Sequence, residues 1–60
     1  MINNKILECL KLNLSGLTIT DLERESGLKR CEIRIAIAFL LGAEKITERK
    51  IGMAKLYILK

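Results

Sequence analysis

Residues 20–41, TDLERESGLKRCEIRIAIAFLL, read as two helices joined by a tight turn, and the rest of the chain is organised around them. Thr20 has the character of an N-cap, because its hydroxyl can accept from the free backbone N–H groups of a first helical turn. Glu23 stands three residues on, where its carboxylate can reach back to the cap N–H. Asp21, Glu23 and Glu25 put negative charge at the positive end of that helix. Ser26-Gly27 stops it: Gly27 suits the left-handed backbone that closes a helix, and Leu28 can then fold back as an apolar plug. A second helical pattern follows at once, with Ile33, Ile37, Leu40 and Leu41 recurring at spacings of four, three and one. Two helices separated by so few residues must cross steeply. That is the geometry of a helix-turn-helix, whose second helix can be offered to a DNA major groove.

Sixty residues make one domain, 1–60, near the lower size limit, where only ~60% of the unfolded surface can be buried. Half of the residues are hydrophobic and the mean hydropathy is +0.24, more apolar surface than so small a globule hides easily, so a homodimer is expected. No apolar run approaches the ~20 residues of a membrane span. The opening MINNKILECL lacks a basic segment followed by an uninterrupted apolar core and a cleavage site. A cytoplasmic location without membrane association is the expectation. Cys9 and Cys31 come with no histidine and no CxxC spacing, which argues against a metal site and for two reduced, buried, structural thiols.

Net charge is +4, and it is unevenly spread. Residues 1–28 carry three cations against four anions, whereas residues 29–60 carry eight cations (Lys29, Arg30, Arg34, Lys45, Arg49, Lys50, Lys55, Lys60) against three anions. The basic half begins where the second helix of the pair begins. Such asymmetry favours a polyanionic partner.

Before the pair, Asn3 or Asn4 can cap a helix running to about Leu14, with Ile6, Leu10 and Leu14 in line and Ile2, Leu7 and Cys9 broadening the stripe. Ser15-Gly16 ends it, and Leu17-Thr18-Ile19 forms a short β-prone bridge. After Leu41, Gly42 and Ala43 close the third helix. Residues 44–50, EKITERK, are strand-like with Ile46 inward, Ile51-Gly52-Met53 is a turn, and residues 54–59, AKLYIL, return as a second strand. Leu56 and Ile58 on one side of that strand and Tyr57 and Leu59 on the other are all apolar, so alternation leaves its inward face undecided.

Helix, short strand, helix, turn, helix and two-stranded hairpin follow one another in the order of the winged-helix domain. The chain resembles the winged helix-turn-helix transcription regulators of archaea and bacteria over nearly its whole length. The likeness is carried by Leu17-Thr18-Ile19-Thr20-Asp21-Leu22, by Ser26-Gly27-Leu28 with Ile33, Ile37 and Leu40, and by the closing Arg49-Lys50-Ile51-Gly52-Met53-Ala54-Lys55-Leu56-Tyr57. The implied fold is α+β: a three-helix winged helix-turn-helix with a C-terminal two-stranded β-hairpin wing. The implied geometry places the third helix in the major groove, with Lys29, Arg30, Arg34, Ile35 and Ala38 facing DNA, and lays the wing along the backbone or minor groove.

Two features depart from that pattern. At about 100° per residue, the face opposite Ile33, Ile37 and Leu40 holds Cys31, Ile35, Ala38, Phe39 and Gly42, where a recognition helix should be polar. The glycine usual between the third helix and the wing stands two residues early, at Gly42, with Glu44 in its place.

The leading functional expectation is a small non-enzymatic protein that binds double-stranded DNA, a dimeric transcription regulator. Its DNA-binding residues would be Lys29, Arg30, Arg34, Arg49, Lys50 and Lys55. Arginine grips guanine in a bidentate way, and lysines beside a hairpin turn track phosphates. The alternative is a protein-interaction module that docks a partner through Ile35 and Phe39. The absence of histidine, of a nucleophile with a base beside it, and of a glycine-rich phosphate loop argues against catalysis. No cofactor, metal or small-molecule ligand is implied.

Overall fold

A computed structural model describes residues 2–60. Three helices, α1 (Ile2–Leu12), α2 (Ile19–Ser26) and α3 (Arg30–Gly42), precede two antiparallel strands, β1 (Ile46–Ile51) and β2 (Ala54–Leu59). This is the α+β winged-helix topology. One core, built from Ile6 and Leu10 of α1, Leu22 of α2, Ile33, Ala36, Ile37 and Leu40 of α3, and Leu17, Ile46 and Tyr57, joins all five elements. Among the described residues no helix is long and apolar enough to cross a membrane.

Helix α1 is shorter than its apolar spacing suggests. It ends at Leu12, where the Asn13 side-chain amide donates to the Cys9 carbonyl at 2.9 Å, and Leu14 is left 71% exposed instead of continuing the buried line. Asn3 and Asn4 lie inside the helix, which already includes Ile2, so neither marks its boundary. Cys9 is half-buried and Cys31 exposed, both as free thiols, so the expectation of two buried cysteines fails at Cys31. That residue lies on the solvent side of α3, away from Ile33 and Ile37.

The bridge expected at Leu17-Thr18-Ile19 contracts to one residue. Leu17 pairs with Tyr57 through two backbone hydrogen bonds of 2.9 and 2.8 Å, adding a one-residue third strand beside β2. Gly16 permits that approach: its φ is +104°, and a Cβ there would stand 2.8 Å from side-chain carbons of both Leu56 and Ile58. Tyr57 is thereby fixed inward, and Leu56 and Ile58 take the opposite face, half-buried.

The N-cap of α2 is Thr18, two residues before the expected Thr20. Its hydroxyl accepts from the Asp21 N–H at 3.2 Å, and the Asp21 carboxylate accepts from the Thr18 N–H at 3.3 Å, completing the capping box. Both registers have a hydroxyl followed three residues later by an acid. The earlier one wins because it brings Ile19, Leu22 and Ser26 onto one inward face and lengthens a very short helix. Gly27, at φ +73°, ends α2 as expected, and Leu28 packs back onto the core. Buried Ser26 ties the turn together, donating to the Leu22 carbonyl while accepting from the Leu28 N–H at 3.1 Å.

Helix α3 starts after Lys29, whose N–H donates to the Glu32 carboxylate at 3.1 Å. At its other end Gly42 is still helical, and the left-handed position belongs to Glu44, at φ +58°. The Lys45 N–H bonds the Leu40 carbonyl at 3.0 Å and the Glu44 N–H bonds that of Leu41 at 3.1 Å, which is the Schellman pattern with glutamate where glycine is usual. The hairpin then turns through Gly52 and Met53, with Ile51 in the strand and not in the turn. Positive φ at Gly52 and not at Met53 is the type II′ pattern.

Candidate nucleic-acid interface

Strand alternation and helix phase decide where each cation points. Ile46 and Tyr57 face the helices, so Glu48 and Lys50, two and four residues beyond Ile46, and Lys55, two before Tyr57, lie on that same side of the hairpin. Arg49 lies on the other side, opposite Leu56. On α3, Arg30 and Arg34 are one turn apart on the flank between the buried face and solvent.

These two faces enclose a groove of about 610 Å³. Its walls are Arg30, Arg34 and Ala38 of α3, Thr18 and Thr20 at the start of α2, and Met53, Ala54 and Lys55 of the hairpin, with Ile37, Leu41 and Tyr57 at the back. Lys50 sits directly opposite Lys55 in the strand register, a like-charge pairing that disfavours the hairpin unless an anion lies nearby. Lys55 is 3.9 Å from the Glu48 carboxylate, a weak exposed contact. Arg34 makes no ion pair or hydrogen bond among the described residues, and its charge bears on Tyr57. Burial pushes the Tyr57 phenol above its ordinary range, with the Glu48 carboxylate adding to the shift and Arg34 opposing it.

Arg30 is held differently. Its Nε and Nη2 both lie 2.9 Å from Glu23 Oε1, and Nη2 also donates to Thr20 Oγ1 at 3.1 Å. Thr20 and Glu23, read from the sequence as a helix cap, instead hold an arginine across the helix pair. The one sequence signal for this contact was the proximity of two short helices, since Glu23 and Arg30 are seven residues apart.

Of the six expected DNA-binding residues, the structure brings Arg30, Arg34 and Lys55 to one groove, with Lys50 on the face that borders it. Lys29 is exposed at the start of α3. Arg49 is parted from the others by the strand's alternation. Ile35 and Phe39, 74% and 61% exposed, stand one turn apart on the outer face of α3 with Cys31 one turn before them. The positive groove and the apolar stripe therefore occupy neighbouring faces of one helix. Sequence reasoning missed Thr20, Glu23, Tyr57 and Met53 as parts of this surface; Met53, fully exposed at the hairpin tip, gave no signal beyond its place in the turn.

Among the described residues no grouping of histidine, cysteine, aspartate or glutamate could hold a metal ion. Comparison of the chain with protein-family models, with curated proteins and with solved structures finds no match in any of the three.

Proposed function

We propose that this chain is a winged helix-turn-helix protein that binds double-stranded DNA, with the exposed flank of α3 toward the major groove and the hairpin along the phosphate backbone, and that it acts as a transcription regulator. The observation that carries this is the shared groove: two arginines of α3 and Lys55 of the hairpin bound one opening, and the Lys50–Lys55 pair places two positive charges side by side at its edge. A phosphate there relieves the repulsion between the two lysines, and Arg34 is free to turn toward a base edge. Reversing charge in Lys50→Glu together with Lys55→Glu should abolish binding to any duplex while leaving the fold intact by circular dichroism. Unchanged affinity in that variant would remove the wing from the interface.

A second copy of the chain completes the proposal. Leu12 and Leu14 are exposed where α1 ends, and Leu56 and Ile58 lie half-buried on the face of the hairpin turned away from the groove. Joining copies through α1 and the last strand leaves both grooves open, whereas joining them through Ile35 and Phe39 would obstruct α3. The exposure of Ile35 and Phe39 favours a second reading, a protein partner on the outer face of α3. The two separate on one pair of variants: Ile35→Ser with Phe39→Ser leaves salt-dependent DNA binding in place if that face serves a protein.

A further inference from the structure

The guanidinium of Arg30 has five N–H bonds to give, one on Nε and two on each terminal nitrogen. The Nε hydrogen goes to Glu23 Oε1 at 2.9 Å. Nη2 donates to Thr20 Oγ1 at 3.1 Å and stands 2.9 Å from the same carboxylate oxygen in ion-pair contact. The two hydrogens of Nη1 and one of Nη2 make no hydrogen bond, and Nη2 itself lies against the Glu23 carboxylate. A bidentate grip on guanine O6 and N7 needs hydrogens from two different nitrogens, and Arg30, with Nε and Nη2 both engaged by Glu23 and Thr20, forms one only at the expense of those contacts. Arg34, one turn further along the same flank, makes no such commitment among the described residues.

From this geometry we infer that Thr20 and Glu23 determine the base specificity of α3 by occupying the fork of Arg30, so that Arg34 alone reads a base while Arg30 serves as a point charge toward the backbone. The assignment rests on the DNA-binding reading and refines it. Thr20 and Glu23 are positioning residues that need not touch DNA. They act through the arginine they hold, and they lie on α2, so the helix that crosses the backbone also sets what its neighbour can read.

The test compares Lys-for-Arg exchanges, because lysine keeps the charge and loses the fork. On a duplex selected from a random pool by the wild-type chain, Arg30→Lys should bind within about threefold of wild type, with the same preference over a scrambled duplex. Arg34→Lys should lose that preference by tenfold or more while keeping the same salt slope. Glu23→Ala with Thr20→Val frees the fork and should select a changed consensus from the same pool. Glu23→Ala also removes a negative charge, so Glu25→Ala, exposed on the same helix, is the control for charge without the bracket. Loss of preference in Arg30→Lys equal to that in Arg34→Lys would overturn the assignment and leave DNA binding standing. Failure of the wild type to bind any duplex would remove the DNA reading and this assignment together. Independently of DNA, the Arg30 Nε–H resonance in the free chain should be resolved and slowly exchanging, and lost in Glu23→Ala; a freely exchanging Nε–H in the wild type would also overturn the bracket.

Discussion

Glu44 holds a left-handed backbone, φ +58°, at the position where a Schellman-terminated helix normally places glycine, while Gly42 sits two residues earlier inside the last turn of α3. An L-residue in that region is strained by about 1 kcal/mol relative to glycine. A glycine in a helical turn loses a similar amount relative to alanine. Glu44→Gly and Gly42→Ala should therefore each stabilise the chain by about 0.5–1 kcal/mol in urea unfolding; a loss of stability in Glu44→Gly would mean that its exposed contact with Lys60, 3.5 Å away, outweighs the strain. Gly16 is the opposite case. Gly16→Ala combines positive φ with a Cβ driven against Leu56 and Ile58, and should destabilise by more than about 1 kcal/mol. A sequence shows that a glycine is near a helix end, but not which backbone position takes the left-handed conformation. Gly27 was legible because the next helix begins at once, whereas Gly42 and Glu44 were not, since the Schellman hydrogen bonds of Lys45 and Glu44 are counted back from the end of α3.

Among the elements, the order and type of all five were readable because each carries its own period, while boundaries moved wherever two capping patterns overlapped. Thr18-Ile19-Thr20-Asp21 and Thr20-Asp21-Leu22-Glu23 are both acceptable caps, and only the inward packing of Ile19 and Leu22 chooses between them. Thr18→Ala should cost about 1 kcal/mol of stability. Thr20→Ala should be close to neutral, since its one hydrogen bond is with an exposed arginine; equal losses in the two variants would contradict the observed cap. The face of β2 was undecidable from alternation, being apolar on both sides, and is fixed by a contact 40 residues away in sequence, Leu17 with Tyr57. Burial raises the phenol of Tyr57 and, on α1, the thiol of Cys9 above their ordinary values. The sign of the consequence follows from linkage. Below those ordinary values, ~8.5 for the thiol and ~10 for the phenol, both groups are protonated folded and unfolded, and their contribution is intact. As pH rises past them the unfolded chain ionises first, so stability falls until the raised folded-state values are passed. The unfolding midpoint should begin to drop above about pH 8.5, through the thiol, and fall further above about pH 10, less steeply there in Tyr57→Phe.

For the whole molecule, the excess of apolar residues over what 60 residues can bury was visible in composition, and the structure distributes it over three exposed patches. Leu12 and Leu14 follow α1, Ile35 and Phe39 lie on α3, and Ile51 and Met53 mark the hairpin tip. Composition could not assign these places, because exposure depends on where α1 stops and which way α3 rolls. Sedimentation at micromolar concentration should give a dimer that Leu14→Glu with Ile58→Glu converts to monomer, and a wild-type monomer would contradict the second copy. The basic half of the chain was equally legible as a total, yet its split into a groove-facing set and an outward Arg49 required the strand register. Arg49→Ala should accordingly weaken duplex binding less than Lys55→Ala does. The most direct measurement is a titration of the wild-type chain with a mixed-sequence duplex at several salt concentrations. If three to five phosphates are contacted, log K should fall linearly with log salt at a slope of about −2.7 to −4.5, its magnitude reduced by about one in Lys50→Ala. A slope near zero, or no binding to any duplex at low salt, would contradict the account.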